Sequence, residues 1–599
     1  MRIAHPQIAS ALTQKLDFLR SDEFKDAVHS TNQLFQPSQT MSETTAVQTV
    51  EPLLAALRAH PHAEVSSGLI EHTHLLPWLQ HQTRLRGSRR LVADMVQLPL
   101  TSTEHIRMRQ DWIRQQPNVG KTLAELATHE DDVLWALRLP NIKDTWPMPM
   151  LFPCWPVVRL MNHVPWVIEF YQVYRLYLAP AMNLIYPASV FFGPWWYLNY
   201  KLKWNLPLKT YMTFLTKILR ELFRIDRANL RQSVLRVITF TAYILIYIYT
   251  IVQSIDIAVM LHRVRRQLQA KMASVRDFVQ KAEGVVASCP SAFFEHFGVC
   301  TSSSRPTFGN HMTTMYKLWT SDAHRAYLTE LLQKAYVLDA ISMARAWIET
   351  KKWSLASLDA NRPLTLRHMK NPVLGAEQRS NPLRLSKNLV ITGPNAAGKT
   401  TYVKSILCNI LLSQSFGVTY ASSCSTPVFH TISSFMRIND EVGRESLFEA
   451  EVHRCLEAIQ TLQKRQDTCE NPVPRPAIVL LDEPMHSTPP IEGTASAMAF
   501  IKQIAEIPGV RSITTTHFFP ITSLAKEFPQ HFVNISFEAR VIRATHATAP
   551  DIRFSYRLRA GSSFQCIALD LLRQKGFPQP FILDAIKFKN KICPEHSND

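Results

Sequence analysis

The stretch Leu389-Val-Ile-Thr-Gly393-Pro-Asn-Ala-Ala-Gly398-Lys399-Thr400-Thr401 decides how the rest of this 599-residue chain is read. Leu389 to Thr392 is apolar and β-branched and predicts a buried strand, while Tyr402 to Leu412 predicts a helix. A strand that passes through a glycine loop into a helix N-terminus forms a cradle for phosphate. Its backbone N–H groups point inward and the helix dipole favours an anion. In such a cradle Lys399 reaches the β and γ phosphates, and Thr400 offers a hydroxyl to Mg²⁺. Gly393, Pro394, Asn395, Ala396, Ala397, Gly398, Lys399, Thr400 and Thr401 are therefore the expected nucleotide-binding residues, with ATP and Mg²⁺ as the expected cofactors.

Working outward, Ala477-Ile-Val-Leu-Leu-Asp482-Glu483 is an apolar strand that ends in two carboxylates. Asp482 is placed to hold the metal alongside Thr400, and Glu483 to activate the attacking water. A third run, Arg511-Ser-Ile-Thr-Thr-Thr516, leads into His517, where an imidazole can sense a γ-phosphate by hydrogen bond. Strands and helices alternate after about residue 385, which predicts an α/β P-loop NTPase domain with a parallel sheet over 341–590.

These residues resemble the ATPase of the MutS mismatch-repair family. Gly393 to Ser405 (GPNAAGKTTYVKS) is similar to that family's GPN-x-x-GKSTY. Asp482-Glu483, an Ala-rich helix and Thr515-Thr516-His517 follow the order DE, helix, ATH. Asp440 with Gly443 to Glu451 resembles the signature segment DDxxxGxSTFxxEM, which implies that Ser446 contacts the γ-phosphate bound by an opposite subunit. Lys370 to Leu374 sits where the family has a strand near the adenine, and Leu558 to Pro578 resembles its C-terminal closure. Leu85 to Leu91, followed by Leu98-Pro99-Leu100, Ile106 and Arg109, is similar to its core-helix pattern. The resemblance implies an ABC/MutS-type fold preceded by a mostly α-helical core and lever region. It further implies ATP hydrolysis with Glu483, His517 and Ser446 as catalytic residues, a homodimer or heterodimer, and DNA as partner. The chain departs from the family in three places. About 70 residues precede the core pattern, too few for a mismatch-recognition domain and a connector. Phe293-Phe294-Glu295 is the lone F-x-E and stands far downstream of the family's wedge. Met485 to Pro490 replaces GRGTST.

The remaining sequence sets the context. Hydrophobic residues make up 46% and charged residues 19%, which excludes a disordered or fibrous chain, and 16 glycines exclude a collagen. The charge of +18 favours an anionic partner, nucleic acid or a membrane surface. Nine cysteines without paired spacing and the lack of an apolar leader predict an intracellular setting. Cys289, His296, Cys300 and His311 match no compact zinc spacing. His60, His62, His72 and His74 are expected to be solvated.

Residues 1–50 read as a stub and linker, 51–145 as helical core, 146–260 as an apolar insert, 261–340 as a lever return and 591–599 as a tail. Within the insert, Leu176 to Tyr200 and Val237 to Ile255 carry no charge. A helix over the second run is about 28 Å long, close to the roughly 30 Å of bilayer hydrocarbon. The segment between them carries nine Lys/Arg against Glu221 and Asp226, and Pro180, Pro187 and Pro194 interrupt the first run. Three functions stand open at this point: a DNA-binding dimeric ATPase, a membrane-tethered ATPase held through 176–255 and serving a structural or packaging assembly, and a domain that only binds nucleotide.

Overall fold

The structure is a computed structural model and describes residues 39–592, apart from 67, 116, 142–159, 225–229, 300–304, 351, 376, 436–446, 468–473, 487–488, 543–550, 564 and 566. Helix α1 covers Gln39–Ala59, so the second half of the expected linker is helical. Ser42, Thr45, Ala46, Thr49 and Val50 recur at helical spacing on its buried side and lead into Leu53, Leu54 and Leu57. The buried stripe there is made of small and hydroxylated side chains, which a search for large aliphatics passes over. After a two-residue strand, β1 (Glu64–Val65), come α2 (Arg86–Gln97) and α3 (Thr103–Gln115).

The chain divides into two compact units, one built on Thr128–Gly284 and Ser302–Leu331, the other on Val47–Ala127, Val285–Thr301 and Leu332–Asp599. The first is helical and contains the apolar stretches, as α4 (Ala179–Tyr200), α5 (Leu208–Phe223) and the 57-residue α6 (Leu230–Val286). Contrary to the sequence expectation, the prolines do not interrupt α4. Pro180 closely follows a π-helical turn, Tyr174–Leu178, that joins α4 to the preceding helical stretch Pro165–Val173, so its missing N–H falls where the α ladder is already altered. Pro187 withdraws the donor that Asn183 O needs, and Tyr247 Oη of α6 donates to that oxygen instead at 3.4 Å. Asn183 also donates to Ser254 Oγ at 2.6 Å, so α4 and α6 pair as a hairpin.

Helix α7 (Asp322–Glu349) enters the second unit at Leu332, and this later part packs against α2. Gly87 makes this possible, because a Cβ there would sit 2.1 Å from the Tyr336 ring. Asp339, fully buried, caps the start of α2 by accepting from Arg84 N at 2.8 Å and Leu85 N at 2.9 Å. The rest of the unit carries two sheets. A five-stranded sheet, ordered β4-β3-β7-β2-β6, comprises β2 (Ser354–Leu358), β3 (Leu364–Met369), β4 (Asn381–Leu385), β6 (Val418–Thr419) and β7 (Ser423–Thr426). A seven-stranded sheet, ordered β1-β8-β9-β10-β5-β11-β12, comprises β1, β5 (Asn388–Thr392), β8 (Thr431–Phe435), β9 (Ala477–Asp482), β10 (Val510–Thr515), β11 (Phe532–Ile542) and β12 (Asp551–Ala560). Its pairings are parallel except β11 with β12. Every residue of β5 and β9 is buried, as a parallel sheet covered on both faces requires. Helices α8 (Lys399–Ser415), α9 (Leu447–Asp467) and α10 (Pro490–Glu506) complete the domain.

Segment 51–145 is therefore not helical throughout, since β1 pairs in parallel with β8 at the sheet edge. Buried amides hold this N-terminal segment to the nucleotide domain. Gln414 of α8 donates to Leu100 O at 2.9 Å and Phe429 O at 2.8 Å, and accepts from Phe429 N. Gln110 of α3 donates to Ala356 O and Gly417 O at 2.7 and 2.8 Å. Arg109 is fully buried, bonded to Ser415 O and, at 3.4 Å, to His296. Phe293 and Phe294 are core residues, which leaves no wedge at Phe293-Phe294-Glu295.

His62 and His74 are exposed as expected, but His60 and His72 are not fully solvated. The His60 ring stacks on His296 at 4.6 Å and meets the edge of His105 at 4.6 Å. Burial and the adjacent Arg109 push His296 down to about 2, and burial lowers His105 too. Unfolded, both rings titrate near the ordinary value of about 6.5, so the unfolded chain binds more protons below that pH. The cluster's stability is thus fully present above about pH 6.5 and is lost as the pH falls, by about 1 kcal/mol per pH unit for His296. The thermal midpoint should drop between about pH 7.5 and about pH 5.5, and His296→Gln should flatten that drop. An unaltered acid response in the variant refutes the account.

Candidate nucleotide site

Parallel register assembles the site. Thr515 of β10 lies beside Asp482 of β9 on one side and Ile391 of β5 on the other. Three strand ends therefore release their next residues, Glu483, Thr516 and Thr392-Gly393, at one edge of the sheet. In a doubly wound sheet the carboxyl ends of the strands are where ligands bind.

The loop after β5 takes its shape from backbone that side chains oppose. Gly393 has φ 141°, and a Cβ there would meet Phe537 O of β11 at 2.4 Å. Gly398 has φ 99° and begins α8 without a side-chain cap. Ala396 also has positive φ, at 65°. Tyr402 N–H closes the first helical turn on Gly398 O at 2.9 Å. Lys399 is buried, and its Nζ donates to Gly393 O at 2.7 Å, which holds the ammonium over the loop.

Thr400 Oγ1 lies 3.2 and 3.1 Å from the two Asp482 oxygens. Thr515 Oγ1 donates to Asp482 Oδ1 from behind. A hydroxyl and a buried carboxylate facing each other form the hard-oxygen pair that Mg²⁺ takes, with substrate oxygens and water filling the other positions. The donor set fits the metal.

Glu483 is buried and sits at φ 54°, its N–H bonded to Thr515 O at 3.0 Å. A non-glycine residue in this region is strained by roughly 1–2 kcal/mol. His517 Nδ1 is 3.5 Å from Glu483 Oε2, with the imidazole side chain 47% exposed. Met485 is also at positive φ, 60°. Its N–H donates to Glu451 Oε1 of α9 at 2.6 Å, and His486 Nδ1 is 3.5 Å from the same oxygen. Glu451 thus anchors the loop that carries Glu483. The sequence flagged Glu451 only as part of a signature; its role depends on a contact 34 residues away.

A cavity of about 1310 Å³ opens over the loop. Met369, Leu374 and Tyr556 give it an apolar wall, and Arg379, Lys404, Arg540 and Arg553 a basic rim. Expected loop residues Pro394 to Thr401 line it, with Asp482 and Glu483. Lys370 to Leu374 is a turn rather than a strand, because Asn371 Oδ1 accepts from Val373 N and Asn371 N donates to Gln378 Oε1. Ser563, past Gly561, donates its N–H to Thr392 Oγ1 at 2.8 Å, so the C-terminal closure reaches the strand that bears the loop. Tyr556, Arg540 and Arg553 escaped the sequence reading because nothing local marks a strand pair as a cavity wall. Asp440 and Ser446 lie outside the described residues. Among the described residues no group of three His, Cys, Asp or Glu forms a further metal site.

Residues 389–593 match the family model for MutS domain V. The chain is 24% identical over 278 residues to the DNA mismatch repair protein MSH3 of Meyerozyma guilliermondii, covering 44% of this chain and 28% of that protein. It is 24% identical over 352 residues to the DNA mismatch repair protein MutS of Lactobacillus delbrueckii subsp. bulgaricus, covering 54% and 39%. It is 29% identical over 203 residues to MSH3 of Cryptococcus neoformans, covering 34% and 16%. The matched part is thus well under two thirds of each relative's length.

Two substitutions separate shape from chemistry. Gly393→Ala should destabilise the domain by about 2 kcal/mol or more and abolish nucleotide binding, since neither φ nor the Phe537 carbonyl tolerates a Cβ. Thr515→Val should leave the fold intact and weaken Mg²⁺-dependent nucleotide affinity by about 10-fold, for one lost bond to a carboxylate. Titration with a fluorescent ATP analogue, with and without Mg²⁺, measures both. A Thr515→Val variant that keeps the full parental gain in affinity on adding Mg²⁺ overturns its assignment.

Proposed function

We propose that this chain is a MutS-type ATPase that binds ATP with Mg²⁺ at the 393–401 loop, hydrolyses it, and couples the cycle to a DNA transaction of the mismatch-repair kind. The observation that carries this reading is the meeting of Thr400 and Asp482 at 3.1 Å beside the buried Glu483. Lys399 neutralises the phosphate oxygens as negative charge moves toward the leaving group. Thr400 and Asp482 hold Mg²⁺, which when bound screens the phosphate charge. Glu483 accepts a proton from the attacking water, and His517, beside its carboxylate, orients that water or the γ-phosphate. The match to MutS domain V supports ATP as nucleotide, and the charge of +18 supports a polyanionic partner. Dimer formation is part of the proposal, with Ser446 completing the site of the opposite subunit.

Glu483→Gln should keep ATP affinity near the parental value and slow turnover by about 100-fold or more, because the amide cannot accept the proton. Steady-state hydrolysis against single-site binding checks it; parental turnover moves the base elsewhere.

A second reading, in which the same ATPase is tethered to a membrane, is favoured by α6. Among the described residues it is the one helix long and apolar enough to cross a bilayer, and only 6% of its most apolar window is buried. Ile244→Asp with Ile246→Asp should then turn a carbonate-resistant protein into an extractable one, since each charge near the midplane costs about 2.5–3.5 kcal/mol. Full-length protein that stays monodisperse without detergent excludes the tether.

A further inference from the structure

The segment joining the two apolar helices is itself built. Helix α5 separates its residues into two arcs. Tyr211, Leu215 and Leu219 run down the middle of the apolar arc and are half-buried, and Leu208, Met212 and Ile218 flank them exposed. Lys209, Thr213, Lys217 and Arg220 occupy the opposite arc, all exposed, with one acid, Glu221, at its edge paired to Arg224 at 3.2 Å. Spacing at three and four residues produces this separation, since each residue turns the helix by about 100°. Contacts fix which arc faces the hairpin. Tyr211 Oη donates to Phe191 O of α4 at 2.5 Å, and the Phe223 ring meets Phe240 of α6 at 5.2 Å.

The approaches to α5 add charge of the same sign. Lys201, Lys203, Arg224, Arg231 and Arg236 are all exposed. Trp195 Nε1 and Asn199 Nδ2 both donate to Leu206 O, and Asn199 Oδ1 accepts from Leu206 N, so the turn from α4 into α5 is fixed. Exposed Trp196 and Trp204 lie at that turn, the level at which indoles favour a lipid interface.

We propose that α5 lies in the headgroup layer of an anionic bilayer, with its apolar arc toward the acyl chains and Lys209, Lys217 and Arg220 toward acidic lipid headgroups. The inference rests on the tethered reading above and adds lipid selectivity to it. A helix that is apolar on all sides spans, as α6 does. A helix with one basic and one apolar face lies in the interface. Nucleic acid is the weaker fit: it would use the basic arc and leave Leu208, Met212 and Ile218 in water.

The test uses the full chain synthesised in the presence of vesicles of phosphatidylcholine alone or with phosphatidylglycerol added, followed by flotation. The unaltered protein should float with both and prefer the anionic vesicles. Lys209→Glu, Lys217→Glu and Arg220→Glu together should still float with phosphatidylcholine, which shows that the hairpin inserts, and should lose the preference by about 100-fold. The corresponding Lys→Arg changes should retain it. Equal flotation of the unaltered chain with both vesicles overturns the role of α5 and leaves the tether standing. No flotation with either overturns the tether and this inference with it. A charge-reversed protein that keeps its lipid preference but loses affinity for duplex DNA assigns the basic arc to nucleic acid and also overturns the proposal.

Discussion

The parallel alignment of β9, β10 and β5 is the constraint on which the rest of the nucleotide domain depends. With Thr515 in register with both Asp482 and Ile391, the Asp482 carboxylate, the hydroxyl that supports it and the 393–401 loop share one level. A slip of one residue would turn Asp482 to the other face of the sheet. Complete burial of β5 and β9 resists such a slip. Gly393, Glu483 and Met485, just beyond these strands, all hold positive φ, where direction matters more than local stability.

Helix α8 carries that alignment to the N-terminal segment. It begins at the phosphate loop and ends at Gln414 and Ser415, where a buried amide and a carbonyl take partners from Leu100, Phe429 and Arg109. An unpaired amide at these positions would cost about 1–3 kcal/mol. The segment around 60–110 is therefore bound to the far end of the helix that begins at the 393–401 loop. The histidines around Arg109 belong to this junction, and burial of His296 and His105 there makes it sensitive to acid.

The helical unit obeys a different rule. In α4 a proline removes a backbone donor, and a tyrosine from α6 restores a partner to the freed carbonyl. Satisfying backbone polar groups internally is what a low-dielectric surrounding demands. Exposed apolar side chains line α4, α5 and α6, and the basic arc of α5 lies at the turn between the other two.

The amino-acid sequence determined the strand, loop and helix at 389–412, the carboxylates at the end of β9, the histidine after β10 and the charge-free stretches, because each is a local pattern of burial or charge. It also placed Pro394 to Thr401, Asp482 and Glu483 in one site, as chemistry at fixed spacing along three strands. Tertiary structure alone decided what depends on distant partners. Residues 39–50 are helical because a stripe of Ser and Thr finds cover, and β1 is a strand because β8 offers an edge. Glu451 anchors the Glu483 loop, Thr515 steadies Asp482, and Tyr556 with two arginines walls the cavity, through contacts between elements that no window of sequence contains. Local physics writes the elements; register and burial, which join residues dozens to hundreds of positions apart, choose their neighbours.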